Sequence, residues 1–275
     1  MSHPFRFGVI AAPMGSSEQW LGTARRVADL GYSTLLGPDG VGMHAPFVAL
    51  TAAATAVPDL RVGTFVLAGP LRPPREAAWQ GHSLSVLSGG RFDFGIGTGR
   101  PQARPDAEAF GRPWGTGAER LAGVRDAIAA LREMDGDAVR TPVMIAAGGP
   151  KALDVAATDA DIVALAGHPA ARPEDVTAMA DRVRERAGAR ADAIELAMNL
   201  FLVGDEAQPW MRQVMGVDPA ELHRIGSPGA VRGTPREMAD QLLRRRDTIG
   251  TTYFAVDRTF VDALAPVVDL LAGRE

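Results

Sequence analysis

Phe5-Arg6-Phe7-Gly8-Val9-Ile10-Ala11 opens the stretch that decides the fold. The run is short and apolar on both faces, with β-branched Val9 and Ile10 inside, as expected of a parallel strand covered on both sides. Ser16 and Ser17 follow as candidate helix caps. Trp20, Leu21, Ala24, Val27, Ala28 and Leu30 then recur at helical spacing until Gly31 ends the run. A buried strand leading into an amphipathic helix is one β/α unit.

Outward from this unit the pattern repeats along the chain. Strands are predicted at 33–37, 61–68, 91–97, 142–147, 161–166, 194–203 and 252–256. Helices are predicted at 46–56, 74–87, 118–134, 151–157, 173–187, 235–249 and 260–271. Eight strands alternating with eight helical regions close a (β/α)8 TIM barrel, and an open doubly wound sheet is the alternative if one unit is miscounted. Residues 1–275 read as one barrel domain with an irregular excursion near 204–233, where Pro209, Pro219, Pro228 and several glycines break both periods.

Composition excludes several chemistries. The chain has no cysteine, which removes disulfides, thiolate nucleophiles and iron–sulfur ligation, so redox chemistry needs a bound cofactor. His3, His44, His82, His168 and His223 are scattered without metal-ligand spacing, so no metal is expected. A net charge of −4 speaks against a nucleic-acid partner, and the Arg244-Arg245-Arg246 run reads as the solvated face of a helix. No apolar stretch is long enough for a membrane span and the N-terminus lacks a signal pattern, which points to the cytoplasm. Lys151 is the sole lysine among 29 basic residues, a bias that points to a GC-rich genome such as an actinobacterium's.

In such barrels the loops after the strands build the active site. Those positions hold Pro13 and Met14; Asp39 and His44; Gly69 and Arg72; Thr98, Gly99 and Arg100; Gly148 and Gly149; Gly167 and His168; Asp257 and Arg258. Gly148-Gly149-Pro150-Lys151 follows a strand and opens a helix, which suits either an anion grip on free N–H groups or a plain tight turn. Ala166-Gly167-His168 ends the neighbouring strand, so the two turns can share one phosphate. Gly95-Ile96-Gly97-Thr98-Gly99 lacks the helix and third glycine of a dinucleotide fingerprint; it admits a flat ring against the backbone or marks a structural bulge. A Schiff-base role for Lys151, as in barrel aldolases, fits poorly with its place at a helix start beyond two glycines. No nucleophile elbow is present.

Leu60-Arg61-Val62-Gly63-Thr64-Phe65-Val66-Leu67, then Leu71-Arg72-Pro73-Pro74, then Leu87-Ser88-Gly89-Gly90-Arg91-Phe92-Asp93-Phe94-Gly95-Ile96-Gly97-Thr98-Gly99 together resemble the signature region of the luciferase-like monooxygenases. Ile145-Ala146-Ala147-Gly148-Gly149-Pro150 and Val231-Arg232-Gly233-Thr234-Pro235 fall where that family has similar stretches, and the resemblance spans about Phe5 to Leu271.

The resemblance implies a barrel that binds coenzyme F420, or alternatively FMN, at its C-terminal mouth. It implies a non-proline cis peptide at or next to Phe65–Val66. Cofactor contacts would map to Phe65, Val66, Gly97, Thr98, Gly99, Ala147, Gly148, Gly149, Ala166 and Gly167. Arg72, Arg100 and His168 would meet the substrate or the acidic cofactor tail. The expected activity is hydride transfer to or from a small organic substrate. The alternatives are an FMN-dependent monooxygenase and a flavin- or deazaflavin-binding barrel without catalysis.

Two positions depart from the F420-dependent pattern. Asp39 is followed by Gly40 where those relatives carry histidine, and Arg100 stands where some carry a catalytic glutamate. The catalytic proton donor then falls to His44, to Asp39, or to His168. A homodimer through the helices near strands two and three, where Ala49 to Ala56 is rich in small residues, is also implied.

Overall fold

Eight parallel staves close on themselves in the computed structural model, which describes residues 3–206, 208, 211, 216 and 218–275. The strands are β1 (Arg6–Ile10), β2 (Thr34–Gly37), β3 (Arg61–Thr64), β4 (Leu67–Ala68), β5 (Phe92–Gly97), β6 (Val143–Ala147), β7 (Ile162–Leu165), β8 (Glu195–Leu200), β9 (Leu202–Val203), β10 (Ala230–Val231) and β11 (Thr251–Asp257). β1 lies between β2 and β11; β2 continues to β3; β3 and β4 both pair with β5; and β5, β6, β7, β8 and β11 complete the ring, every pairing parallel.

The helices are α1 (Ser17–Asp29), α2 (Pro46–Ala56), α3 (Pro74–Leu87), α4 (Arg104–Ala109), α5 (Gly117–Asp135), α6 (Pro150–Asp159), α7 (Pro173–Ala187), α8 (Pro219–Arg224), α9 (Pro235–Ile249) and α10 (Val261–Leu271). Ser16, Thr116 and Thr234 start α1, α5 and α9 with reciprocal capping boxes, each closed by Gln or Glu three residues on. Arginines from following elements satisfy helix C-termini. Arg91 donates to the carbonyls of Ala54, Val57 and Leu60 at the end of α2, and Arg190 to those of Ala157 and Ala160 at the end of α6.

Alternation within β1 shows why the strands read as continuous apolar runs. Phe5, Phe7 and Val9 face the helical layer, where Phe5, Phe7 and Phe254 stack at 6.1–6.4 Å. The opposite faces fill the lumen with Leu36, Met144, Ile162, Ala164, Ala197, Tyr253 and Ala255. At the N-terminal end of the lumen Arg6 pairs with Asp93 and Glu195, both at 2.7 Å, and lies 4.3 Å from the Tyr253 ring; Arg61 reaches Asp93 at 2.6 Å. Burial pushes the Glu195 carboxyl up and Arg6 pulls it only part of the way back.

Two predicted strands are each corrected to a broken one. The run 61–68 divides into β3 and β4, because Gly63 faces Asp93 while Leu67 faces Ile96, four steps on one strand against three on the other. This is the count of a bulge. The Thr64 hydroxyl closes the gap by donating to the Gly95 carbonyl at 2.7 Å and accepting the Gly95 N–H at 2.8 Å. A Cβ on Gly95 would overlap the Thr64 carbonyl oxygen. The Phe65–Val66 bond, at the place the resemblance implied, is cis.

The run 194–203 divides into β8 and β9 because the chain leaves the barrel at Phe201. The N–H groups of Phe201 and Leu202 both donate to the Gly229 carbonyl, and β9 pairs with β10 instead of a stave. A continuous apolar run cannot show a change of partner. The excursion near 204–233 holds α8 and β10, the second strand of this small ribbon, while Pro209 lies outside the described residues. A second insertion, between β5 and α5, carries α4, which the hydrophobic period did not predict. Among the described residues no helix is long and apolar enough to cross a membrane.

Candidate active site

The C-terminal mouth has an apolar floor. Ile10, Phe65, Val66 and Ala146, each at or just past the end of a stave, are half-buried and pack on the lumen cluster. Gly97 continues this surface: a Cβ there would stand 3.2 Å from a Val66 methyl and 3.6 Å from the Ala146 carbonyl oxygen. Glycine and alanine at the stave ends therefore leave a low bed on which a flat ring can lie against backbone.

Asp39 is held on every side. Its side chain is 2% exposed, both oxygens meet the Arg72 guanidinium at 2.7 and 2.8 Å, and one also accepts the Ala68 N–H at 3.0 Å. The bidentate fork binds the loop after β2 to the end of β4. Of the two roles the sequence offered, proton donor for Asp39 and tail contact for Arg72, this geometry favours neither; the pair fixes the rim. His44 is exposed. Its N–H donates to the Pro13 carbonyl at 2.8 Å and its Nε2 to the Gly15 carbonyl at 2.8 Å, which ties the loops after β1 and β2. Asp106 of α4 accepts the Val41 N–H at 3.0 Å, and a Cβ on Gly40 would stand 3.5 Å from that carboxylate. The insertion thus folds over the loop in which Gly40 sits.

The turn after β5 is clamped from outside the barrel. Gly99 has φ +78, and a Cβ there would come 2.9 Å from the Trp114 ring. Arg120 lies 4.6 Å over that ring and donates to the Thr98 carbonyl at 3.0 Å and the Gly115 carbonyl at 2.9 Å. Arg100, next in the chain, is exposed.

After β6 and β7 the two predicted turns meet. The Ala166 N–H donates to the Ala147 carbonyl at 2.8 Å, and a Cβ on Gly148 would come 2.6 Å from the Ala166 carbonyl oxygen. Only glycine fits at 148. Gly149 caps α6 with no side chain and Pro150 has no N–H, so the first-turn N–H groups of Lys151 and Ala152 face outward uncapped. Gly148, Gly149, Lys151 and Ala166 are exposed and Gly167 is half-buried. The His168 Nδ1 accepts the Ala170 N–H at 3.2 Å, which leaves Nε2 to carry the proton of the neutral ring.

Loop position in the sequence did not single out Asn199, Trp114 or Arg120. Asn199 follows Glu195 and Ala197 on the lumen face of β8 and lines a small cavity with Leu165, His168, Met198 and Phe201. Period-two counting along 194–203 is the signal that would have found it. Trp114 and Arg120 act through contacts that no spacing announces. Arg100, Lys151 and Arg258 are exposed and form no ion pair among the described residues, so the mouth carries cations without counter-ions. No group of three or more potential metal ligands occurs among the described residues.

Comparison with known proteins adds the following. A family model described as luciferase-like monooxygenase matches residues 1–251. The F420-dependent glucose-6-phosphate dehydrogenase of Intrasporangium calvum is 33% identical over 131 residues, and the matched stretch is 39% of this chain and 39% of that relative's length. The coenzyme F420-dependent tetrahydromethanopterin reductase of Methanopyrus kandleri superposes with a TM-score of 0.75 at 16% identity, covering 98% of this chain and 99% of that one. Riboflavin lyase, solved with modified FMN and riboflavin, gives a TM-score of 0.75 at 14% identity, covering 99% of this chain and 93% of the other. At these identities the likeness to the two structures is one of fold.

Proposed function

The chain belongs to the luciferase-like monooxygenase family, and from that premise we propose that it is an oxidoreductase that moves a hydride between coenzyme F420 and a small organic substrate at the barrel mouth. The observation that carries the reading is the low apolar floor of Ile10, Phe65, Val66 and Ala146 beside an uncapped helix start. The residues present fit the group. The floor offers a bed for a flat ring, the N–H groups of Lys151 and Ala152 and the Lys151 ammonium suit its phosphate, and Arg100 and Arg258 suit an acidic tail.

When bound, F420 supplies or accepts the hydride at a ring carbon. The chain's own part is to hold the ring on the floor, keep water from it, and place one proton. His168 with its Nε2–H, or His44 at the opposite edge, is the group for that proton, a contribution of about 10²–10⁴-fold in rate. Asp39, locked by Arg72, positions the rim. The name of the Intrasporangium calvum relative supports the choice of F420.

FMN is the second reading, favoured by the shared fold of riboflavin lyase. It satisfies the floor and the phosphate grip but leaves Arg100 and Arg258 without an acidic tail to meet. We also propose a homodimer. α2 contains no ionisable residue, and Val48 on α2 with Trp79, Val86 and Leu87 on α3 leaves an apolar outer face 51–73% exposed per residue.

The test is a titration of the purified chain with oxidised F420 and, in parallel, FMN, following quenching of cofactor fluorescence at several salt concentrations. F420 binding at least tenfold tighter than FMN, weakening as salt rises, is expected. Tighter FMN binding transfers the proposal to the monooxygenase reading, and binding of neither overturns it. F420 binding without turnover of any reducible substrate would leave a cofactor-holding barrel.

A further inference from the structure

Alternation along the staves decides which side chains the mouth presents from within. In each strand the lumen face ends on one residue. Five of the eight staves end there on Ile10, Leu36, Gly97, Ala146 and Ala164, and the broken stave ends on Phe65 and Val66. The remaining two end on polar residues. On β8 the lumen face runs Glu195, Ala197, Asn199, and on β11 it runs Tyr253, Ala255, Asp257. Ala197, Tyr253 and Ala255 belong to the lumen cluster, and Asp257 stands opposite Ile10 of β1 in register. β8 and β11 are neighbours, with Asn199 paired to Ala255. Asp257 is therefore one strand across and two residues further up, about 8 Å from Asn199 between Cα atoms.

Both residues are half-buried and both keep polar atoms free. The Asn199 amide makes no side-chain hydrogen bond among the described residues. Asp257 Oδ1 accepts the Thr259 N–H at 2.9 Å and the Thr259 hydroxyl at 2.7 Å, which fixes the carboxylate and leaves Oδ2 without a partner among the described residues. An apolar bed with a few convergent polar groups is the form a small-molecule site takes. The pair stands four staves round the ring from β4 and β5, across the mouth from the floor at Val66 and Gly97. Asn199 also lines the same small cavity as His168.

The two side chains restrict what they can hold. An ionised carboxylate only accepts, so its ligand must bring a donor, while a primary amide gives an N–H to an oxygen. An ammonium brings a donor, but the exposed cations Arg100, Lys151 and Arg258 in the loops above repel it, and a carboxylate or phosphate at this spot faces the charge of Asp257. A neutral hydroxyl meets both restrictions. Two hydrogen bonds of about 2.8 Å and a pair of neighbouring carbons bridge the gap between the side chains.

We propose that Asn199 and Asp257 are the substrate-holding pair of the mouth, and that the substrate carries a hydroxyl beside a carbonyl or beside a second hydroxyl. The hydroxyl donates to Asp257 Oδ2 and the neighbouring oxygen accepts from the Asn199 amide. The word substrate rests on the hydride-transfer reading, but the binding chemistry of the pair is measurable without the cofactor.

The experiment measures dissociation constants of 3-hydroxybutan-2-one, 3-methoxybutan-2-one, butan-2-one and butan-2-amine by ligand-observed NMR on the purified chain, with and without F420. The hydroxy ketone is expected to bind about tenfold tighter than its methoxy ether, which keeps the oxygen and loses the donor. Asp257→Asn, which retains an oxygen for Thr259, is expected to cut that preference to below about twofold. Asn199→Leu is expected to weaken the hydroxy ketone and butan-2-one alike while the hydroxyl preference persists. F420 affinity is expected to be unchanged in both variants, because the floor for its ring lies on the opposite staves. Absence of saturable ketone binding, equal binding of the hydroxy ketone and its ether, an amine that binds tighter than either, a preference untouched by Asp257→Asn, or a loss of F420 affinity in the variants with ketone binding intact each overturns the proposal. A hydroxyl preference that Asp257→Asn removes, in a chain that fails to bind F420, upholds the pair and counts against the cofactor reading alone.

Discussion

Asp39 shows how a residue at a catalytic address can be occupied by structure. Removing its partner by Arg72→Ala leaves a carboxylate 2% exposed without a counter-charge, and unfolding in denaturant is expected to show a loss of about 3–5 kcal/mol. Gly95 works by absence. Gly95→Ala places a methyl against the Thr64 carbonyl oxygen, so it is expected to lower the melting temperature and weaken cofactor binding together, whereas Gly149→Ala, with open space around its Cβ position, leaves stability nearly unchanged. Equal melting temperatures for the Gly95 and Gly149 variants would contradict this account. These residues also mark what the sequence makes legible at this scale. Gly148 was readable as part of a strand-to-helix turn, either an anion grip or a plain tight turn, and the closed barrel shows that no larger residue fits there. The engagement of Asp39 was not, because Arg72 lies 33 residues away and only the closed barrel brings the two together.

At the scale of elements, legibility followed the period. α2, α3, α7 and α9 have the bounds expected from the sequence, since each begins at proline and ends where the apolar stripe stops. β3 with β4, and β8 with β9, were read as single strands because apolar residues continue through a bulge and through a change of partner alike. α4, six residues long, is too short for a period to declare itself. Two predictions belong here. Arg91→Leu removes the guanidinium that satisfies three carbonyls at the end of α2 and is expected to cost about 2 kcal/mol, read as a lower denaturant midpoint.

Asp161 joins the end of α5 to β6. Burial pushes its pKa up, but the Val143 N–H and the Arg132 and Arg140 guanidiniums outweigh burial and hold it below the ordinary aspartate value. A folded pKa below the unfolded one stabilises above the unfolded value and is lost as pH falls through the folded one. The stability advantage of the native chain over Asp161→Asn is therefore expected to be steady near neutrality and to shrink below about pH 4, as thermal melts across pH will show; an advantage that grows on acidification would refute the assignment.

For the whole molecule, the two ends of the barrel divide the work. The N-terminal end is closed by Arg6, Asp93, Glu195 and Arg61, a buried network whose cost is met only while each charge keeps its partner. The C-terminal end keeps its floor apolar and carries the exposed cations Arg100, Lys151 and Arg258 in the loops after β5, β6 and β11. The outer face of α2 and α3 is the surface we propose for a second copy, and Trp79→Lys with Val48→Lys is expected to shift the purified chain to half its mass in sedimentation without changing its melting cooperativity. An unchanged mass would remove that face from consideration.

Lys151 has a practical side as well. It is the sole lysine, it is exposed, and it stands at the start of α6 beside Gly148 and Gly149. An amine-reactive dye has only this side chain and any free α-amino group to choose between, and at mildly alkaline pH with the α-amino group blocked it becomes single-sited. With no cysteine in the chain, a second dye can be directed by one introduced thiol to any other point, such as the α4 insertion. The protein thus accepts a two-colour distance ruler whose fixed mark lies at the edge of its own mouth, and the distance from that mark to the insertion can be read molecule by molecule.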